Sequence, residues 1–360
     1  MALALSAPYS SIAGLRTSLS VDAKKVLHDA YVAAHLSAAT HAKGAKLPQE
    51  PDYVAELIRT GVVALASAWR PQFASLGLTL DILGVFIHQS PMVDFQNPPG
   101  TTVRCELGDL LLAVRFPGVA APSGTAFLTQ AKMSRATVST MAGTDPDQHH
   151  LYSTWPDFEL ARTTHAAIAI GTAGGQGMLG EISRRGPKTT GVPVMNTWKT
   201  EDFLTLGSTV ELEDALADLA AGVAGRSFSP FHGPRTPPPA GTPSANQEWD
   251  FLIDYLLSVT VSKAYTRSSI GVLGQPRGIV VTALSGGQVL RWQNDELAMG
   301  PAFAKLMPPL HDPLHAYWVG RATEVFSVLG GTGGQLPPND DDDPFEDRGK
   351  GFGFILMTIR

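Results

Sequence analysis

A change of hydrophobic periodicity near Leu76 restricts the fold of this chain more than any other feature of its sequence. Before this point, residues 20–42 and 51–69 carry apolar side chains at helical spacing, and Pro51 suits the first turn of a helix. After it come short apolar runs rich in Val, Ile and Phe, at residues 78–95, 101–116 and 125–133. The pattern predicts two N-terminal helices followed by consecutive strands.

The connections between these runs indicate how the strands pair. Residues 96–100 and 117–124 are too short for crossover helices, which favours antiparallel neighbours. Further along, the pattern predicts a short helix within 145–158 and strands within 165–173 and 177–185. It also predicts a helix over 209–224 that begins after a Ser208 cap.

The distribution of proline and glycine predicts the domain organisation. We expect an α/β domain with N-terminal helices over residues 1–225, in which helices flank a mixed sheet. Residues 226–247 are dense in Pro and Gly and form a predicted loop or linker. Residues 248–360 are predicted to be mainly helical, with one helix after the linker, another after Pro313 and a final strand.

Charge and cysteine content limit the possible partners and compartments. The formal net charge of -6 gives no general basic surface for a polyanion, so contact with nucleic acid requires a local patch or metal ions. Cys105 is the single cysteine, which excludes an intrachain disulfide and indicates a reducing compartment. The N-terminus lacks a basic signal-peptide region, and no window approaches the ~20 apolar residues of a membrane span. A cytoplasmic protein without membrane contact is the expectation.

A polar sequence, "TQAKMS", ends one of the apolar runs. Alternate residues of a strand share a face, so Gln130 and Lys132 are expected on the same side. One run earlier, Asp109 stands where a polar loop becomes a hydrophobic strand. Pairing of these two strands would bring the three side chains together. An anionic oxygen, an amide oxygen and an ammonium group are what a phosphodiesterase uses to hold a divalent metal against a scissile phosphate.

Asp109 followed by Gln130-Ala131-Lys132 resembles the PD-(D/E)XK nuclease superfamily, in the Mrr-like variant that has Gln in place of the second acid. The resemblance covers residues 48–185. Gln148 and Tyr152 also match the Q-x-x-x-Y motif of RecB-like members. The chain departs from the superfamily pattern in having Gly108, not Pro, before the aspartate, and in mixing an Mrr-like motif with a RecB-like one.

The resemblance implies a restriction-endonuclease-like fold and further site residues. Glu56, with Glu50 as the alternative, is the expected glutamate on the helix before the strands. Gln148 and Tyr152 are expected to contact the nucleic-acid phosphate or orient the lysine, with structural capping as the other interpretation. Glu106 is an auxiliary metal ligand if Gly108 marks a bulge, because a regular strand turns it away from Asp109.

Two functions follow as hypotheses. The first is an Mg²⁺-dependent endonuclease, with Mn²⁺ as an alternative ion, that hydrolyses DNA and serves bacterial restriction or anti-phage defence by analogy with the family. Asp109 and Gln130 hold the metal, and Lys132 activates the attacking water. The second is an inactive nuclease-derived scaffold that binds nucleic acid or a protein partner. In that case the apolar C-terminal helices would serve homo-oligomerisation.

Overall fold

A computed structural model describes most of the N-terminal two thirds of the chain and selected parts of the remainder. The described residues are 3, 5–40, 50–87, 90–97, 100–120, 122–134, 146–154, 156–160, 169–170, 179–185, 199–202, 209–229, 249–250, 252–253, 256–257, 260, 278–287, 289–292, 345–346 and 351–360.

Two long N-terminal helices are present, as the periodicity predicts. Helix α1 spans Arg16–Thr40 and follows a 3₁₀ turn. The second helix begins as α2 (Glu50–Glu56), passes through a π-helical segment (Leu57–Gly61) and continues as α3 (Val62–Ser75). Pro51 lies in its first turn, where the missing N–H of proline costs no intrahelical hydrogen bond.

The described strands are numbered in chain order. They are β1 (Leu80–Ile87), β2 (Ser90–Gln96), β3 (Thr102–Glu106), β4 (Leu110–Arg115), β5 (Gly124–Ser134), β6 (Phe158–Leu160), β7 (Ala169–Ile170), β8 (Leu179–Arg185), β9 (Lys199–Asp202), β10 (Thr209–Glu211), β11 (Arg226–Phe228), β12 (Gly278–Ala283), β13 (Val289–Trp292), β14 (Phe345–Glu346) and β15 (Phe352–Ile359). Two further helices are α4 (Pro146–Thr154) and α5 (Leu212–Ala220).

The main sheet is mixed. Its strands follow the order β10-β9-β8-β5-β4-β15-β1-β12-β13, and β11 also pairs with β5. The β4–β15 and β5–β8 pairs are parallel, whereas the other pairs are antiparallel. A smaller sheet contains β2 with β3, β6 and β14, and β6 pairs with β7. A mixed α/β protein with helices flanking its sheet is therefore confirmed.

The prediction of consecutive antiparallel strands is correct only in part. Strands β4 and β5 form the expected hairpin, and β2 pairs with β3. However, the first two apolar runs each contain two strands, which belong to different sheets, and β15 separates β1 from β4. The C-terminal strand has eight buried residues in a row, which suits the centre of a sheet that is covered on both faces.

Strand side chains alternate between the two faces of the main sheet, and a hydrophobic core covers each face. One face packs against α1, α2, α3 and α5, and its core includes Ile82, Phe86, Leu112, Ile355 and Met357. The other face packs against the smaller sheet, α4 and the helical residues between 249 and 257, and its core includes Val85, Leu111, Leu128, Phe354 and Leu356. The main sheet is therefore the middle layer of three.

Several predicted boundaries need correction. Helix α5 begins at Leu212 and not at residue 209, because residues 209–211 extend the sheet as β10. Glu211 is its N-cap residue and makes no side-chain capping bond, while Ser208 lies outside the described residues.

The predicted linker and C-terminal region contain strands that the sequence analysis missed. Strand β11 occupies residues 226–228 at the start of the predicted linker, and residues 230–248 lie outside the described part of the chain. Beyond the linker, helical residues between 249 and 260 agree with the predicted helix, whereas β12 and β13 were not expected. The helix predicted after Pro313 falls outside the described residues.

Candidate functional site

Asp109 lies immediately before β4, and its backbone is bonded to the strands on both sides. Its N–H donates a hydrogen bond to the carbonyl of Thr129 in β5 at 3.0 Å. Its carbonyl accepts a hydrogen bond from the N–H of Gly353 in β15 at 2.8 Å. Asp109 is also buried, with 6% of its surface exposed. The main chain of Asp109 is thus fixed between β5 and β15, the two strands that flank β4.

The β4–β5 register relates Asp109 to the predicted Gln-x-Lys residues. Because Leu110 is paired with Thr129, Asp109 lies next to the Thr129–Gln130 step of β5. Backbone position 130 therefore directly follows the residue paired with Leu110, and position 132 lies two residues further along β5. The side chains of Gln130 and Lys132 lie outside the described part of the structure, so their convergence with Asp109 stays a prediction.

The pairing of β5 with β8 adds an acidic residue that the sequence analysis did not consider. Gln130 is in register with Glu181, and Lys132 with Ser183. On the next strand, Glu181 is in register with Glu201. A row of paired positions occupied by polar residues therefore crosses β5, β8 and β9. No spacing in the sequence indicates this row, because it depends on which strands are neighbours.

Glu106 ends a strand of the smaller sheet, whereas Asp109 precedes a strand of the main sheet. Glu106 ends β3 of the smaller sheet, where it is paired with Met92, and β4 of the main sheet begins only at Leu110. The alternation that would turn Glu106 away from Asp109 therefore does not apply, because residues 107–109 are outside any strand. Glu106 is buried, with 8% of its surface exposed. Its role as an auxiliary metal ligand stays a prediction.

Gln148 and Tyr152 lie one turn apart on α4, and both are buried. The Tyr152 hydroxyl donates a hydrogen bond to the carbonyl of Leu107 at 2.5 Å, and the amide of Gln148 donates to the carbonyl of Glu106 at 3.5 Å. These contacts are with the connection between β3 and β4, two to three residues before Asp109. They correspond to the structural interpretation of the motif, while contact with nucleic acid stays a prediction.

Gly108 allows this connection to pack closely. A Cβ atom at this position would lie 2.9 Å from Cγ of Leu128 and 3.1 Å from the hydroxyl oxygen of Tyr152. Distances this short leave no room for a larger side chain unless its neighbours move. Close packing thus accounts locally for glycine at position 108.

Glu56 lies on the side of α2 opposite the sheet. Val54 and Ile58 approach Gly353 of β15, and Glu56 is two residues from each, about 160–200° around the helix. Its carboxylate accepts a hydrogen bond from Arg59 Nη2 at 2.7 Å. Within the part of the chain that the structure describes, its second oxygen has no hydrogen-bond partner. The ion pair gives Glu56 a structural partner, and its catalytic role stays a prediction, as does that of Glu50, whose side chain is outside the described residues.

A second cluster of interacting residues lies around Asp250, at the start of the helix that follows the predicted linker. The N–H of Ser229 donates to its carboxylate at 2.9 Å, and the Arg226 guanidinium lies over the Trp249 ring at 5.6 Å. Burial raises the pKa of Asp250 to about 6, against the opposing effects of the Ser229 hydrogen bond and the Arg226 charge. These residues meet because β11 pairs with β5, which the sequence analysis did not predict.

No group of three or more His, Cys, Asp or Glu residues in the described part of the chain is arranged to hold a metal ion. No helix among the same residues is long and apolar enough to cross a bilayer.

Comparison of the chain with protein-family models, with curated proteins and with solved structures gives no match.

Proposed function

We propose that this chain is an Mg²⁺-dependent endonuclease that hydrolyses phosphodiester bonds of DNA. The observation that carries the proposal is the antiparallel pairing of β4 with β5, which sets Asp109 beside the strand that contains Gln130 and Lys132. Catalysis by these residue types requires an acid and a lysine at neighbouring strand positions. The pairing satisfies that requirement at the level of the backbone.

The order of elements supports a restriction-endonuclease-like fold. A helix precedes the sheet, β4 and β5 form a hairpin, and α4 follows β5, with β6 and β7 of the smaller sheet between α4 and the parallel strand β8. The superfamily has the same order of a helix, the strand with the aspartate, the strand with the lysine and a following helix. The insertion of β15 between β1 and β4 is a departure from a simple meander.

The residue types around Asp109 suit a hard divalent cation. The carboxylate of Asp109 and the amide oxygen of Gln130 are oxygen donors, which Mg²⁺ and Mn²⁺ prefer, and Glu106 is the auxiliary ligand. We assign the role of the missing second acid to Glu181, because its backbone is in register with Gln130 on the adjacent strand. When bound, such an ion polarises the phosphate and lowers the pKa of a bound water.

The remaining chemistry belongs to Lys132. Its amine orients or deprotonates the attacking water, and its positive charge offsets the negative charge that develops on the phosphate in the transition state. Removal of one such group from an active site typically lowers the rate by about a hundredfold to a thousandfold. Gln130 is a neutral ligand, so its loss should be milder than the loss of Asp109.

An inactive scaffold is the second candidate function. The observation that favours it is Gln130 itself, which replaces an acid in the superfamily pattern and weakens a metal site. Such a protein would keep the fold and bind nucleic acid or a protein partner without metal. Metal binding at Asp109 distinguishes it from the endonuclease.

The test is cleavage of plasmid and single-stranded DNA by purified protein with Mg²⁺, with Mn²⁺ and with EDTA. We expect metal-dependent cleavage by the wild type and loss of at least about a hundredfold in Asp109→Ala, Lys132→Ala and Glu181→Gln. Gln130→Glu should keep or raise activity, because it restores the usual second acid.

Matched controls are Asp94→Ala and Glu159→Gln. Asp94 forms an exposed pair with Arg104 on the smaller sheet, and Glu159 lies on β6 of that sheet, so both variants should cleave as the wild type does. Wild-type protein that cuts neither DNA form with either ion would replace the endonuclease with the scaffold, whereas a fully active Lys132→Ala variant would remove the catalytic role of Lys132. Full activity of Glu181→Gln alone would remove only the assignment of the second acid.

A further inference from the structure

The connection from β3 to β4 is short and is bonded at nearly every residue. Leu107 N–H donates to the carbonyl of Pro91 at 2.8 Å, and Asp109 N–H donates to the carbonyl of Thr129 at 3.0 Å. The carbonyl of Leu107 accepts its hydrogen bond from a side chain, the hydroxyl of Tyr152. This phenol is therefore one of the groups that define the path of the main chain into Asp109.

The environment of Tyr152 makes this contact specific. The residue is 3% exposed, and its hydroxyl oxygen lies 3.1 Å from where a Cβ of Gly108 would be. Leu151 and Tyr152 both lie in the core on the side of the smaller sheet, so this part of α4 is packed into the protein interior. One helical turn earlier, Gln148 makes the longer contact with the carbonyl of Glu106.

We propose that Tyr152, assisted by Gln148, is a positioning residue that holds the Asp109 carboxylate through the backbone at residues 107–108. This inference rests on the proposed function for its metal-dependent part. The motif then acts from inside the protein, through hydrogen bonds to carbonyl groups, and not by contact with the nucleic-acid phosphate. The physical reason is that a metal ligand displaced by a fraction of an ångström binds its ion less well.

The test compares Tyr152→Phe with Tyr31→Phe. Tyr31 is also a fully buried tyrosine, but it lies on α1, where it stacks on Tyr53. The first measurement is amide hydrogen exchange, which requires no metal and no activity. We expect faster exchange over residues 107–110 in Tyr152→Phe and an unchanged rate there in Tyr31→Phe.

The second measurement is the affinity for Mn²⁺ alone, together with kcat and KM for plasmid cleavage. Loss of one hydrogen bond should weaken Mn²⁺ binding and lower kcat by on the order of threefold to tenfold, with KM for DNA unchanged. A motif that contacts DNA predicts the reverse: a raised KM with normal Mn²⁺ affinity.

Each outcome decides a separate claim. Unchanged exchange at residues 107–110 in Tyr152→Phe overturns the anchoring, and so does a change confined to KM. Wild-type protein that takes up no Mn²⁺ contradicts the proposed function, and the exchange comparison then decides the anchoring by itself. If Tyr152→Phe fails to fold, Gln148→Ala is the second variant, with smaller changes of the same sign expected.

Discussion

The residues around Asp109 hold it in position mainly through hydrogen bonds to the main chain. Asp109 is held by backbone bonds to Thr129 and Gly353, and the carbonyl of Leu107 is held by Tyr152. Each of these bonds joins Asp109 or the residues just before it to a different element of the fold. Buried backbone groups seldom remain without a partner, so these bonds also contribute to folding. These bonds hold the main chain at Asp109 in place without any ligand.

Asp250 provides a prediction at the residue scale. Its folded-state pKa is raised by burial to about 6, above the ordinary value for aspartate, so the folded protein binds this proton more tightly than the unfolded chain. Stability from this group is therefore fully present at low pH and is lost as the pH rises from about 4 to about 6. Asp250→Asn should remove this loss, because an amide oxygen can still accept the Ser229 hydrogen bond without carrying charge.

The measurement is the urea midpoint of unfolding at pH 4.5 and at pH 7. The stability of Asp250→Asn relative to wild type should be higher at pH 7 than at pH 4.5. Asp214→Asn, on the exposed side of α5, should not show this rise. An equal effect of Asp250→Asn at both pH values would show that Asp250 does not titrate in this range.

At the scale of elements, close packing between the second helix and the main sheet depends on glycines in the strands. A Cβ on Gly84 of β1 would lie 2.5 Å from Cγ2 of Val62, and a Cβ on Gly353 of β15 would lie 3.0 Å from Cγ1 of Val54. Glycine weakens a strand interior, but here it marks a close approach of helix to sheet. The same approach brings α2 over the end of the sheet where Asp109 lies.

Gly84→Ala tests this packing. The added methyl group must displace Val62 or Ile58, and overpacking of this kind destabilises by about 1–3 kcal/mol. Gly286→Ala is the matched control, because nothing lies within 4 Å of an added Cβ at that position. Thermal or urea unfolding measures both variants. If Gly84→Ala were as stable as Gly286→Ala, the contact between helix and sheet would be looser than this packing requires.

At the scale of the whole molecule, the main sheet is built from both ends of the chain. Strands β12 and β15, which follow the predicted linker, pair with β1, and β15 also pairs with β4. The C-terminal strand buries Phe352, Phe354, Ile355 and Met357, which contribute to the cores on both faces. The position of Asp109 thus depends on residues that are about 240 positions away in sequence, because Gly353 bonds to its carbonyl.

Separate expression of residues 1–225 and 248–360 tests this dependence. We expect neither fragment to give a cooperative unfolding transition alone, because without β15 the edges of β1 and β4 and both core faces are exposed to water. Co-expression should restore a folded complex that co-purifies. Circular dichroism, unfolding curves and size-exclusion chromatography measure the outcome. A fragment of residues 1–225 that folds cooperatively by itself would support the predicted domain boundary.

Local sequence patterns were sufficient to predict those helices and strands that depend on residues close together in the chain. The two N-terminal helices, the β4–β5 hairpin, α4 and the C-terminal strand all follow from apolar periodicity and short connections, because these patterns act within a few residues of each other. The same signals predicted that the strand after Asp109 pairs with the strand that contains Gln130 and Lys132, and the β4–β5 pairing confirms this.

Which distant segments of the chain meet depends on the complete fold. The insertion of β15 between β1 and β4, the register of Glu181 with Gln130, and the contact of Tyr152 with Leu107 depend on long-range pairing that no local pattern encodes. Short strands such as β10 and β11 were missed for the same reason, because hydrogen bonds to neighbouring strands stabilise them more than their own composition does. Strand order reflects burial of the whole apolar surface at once, whereas sequence patterns report one element at a time.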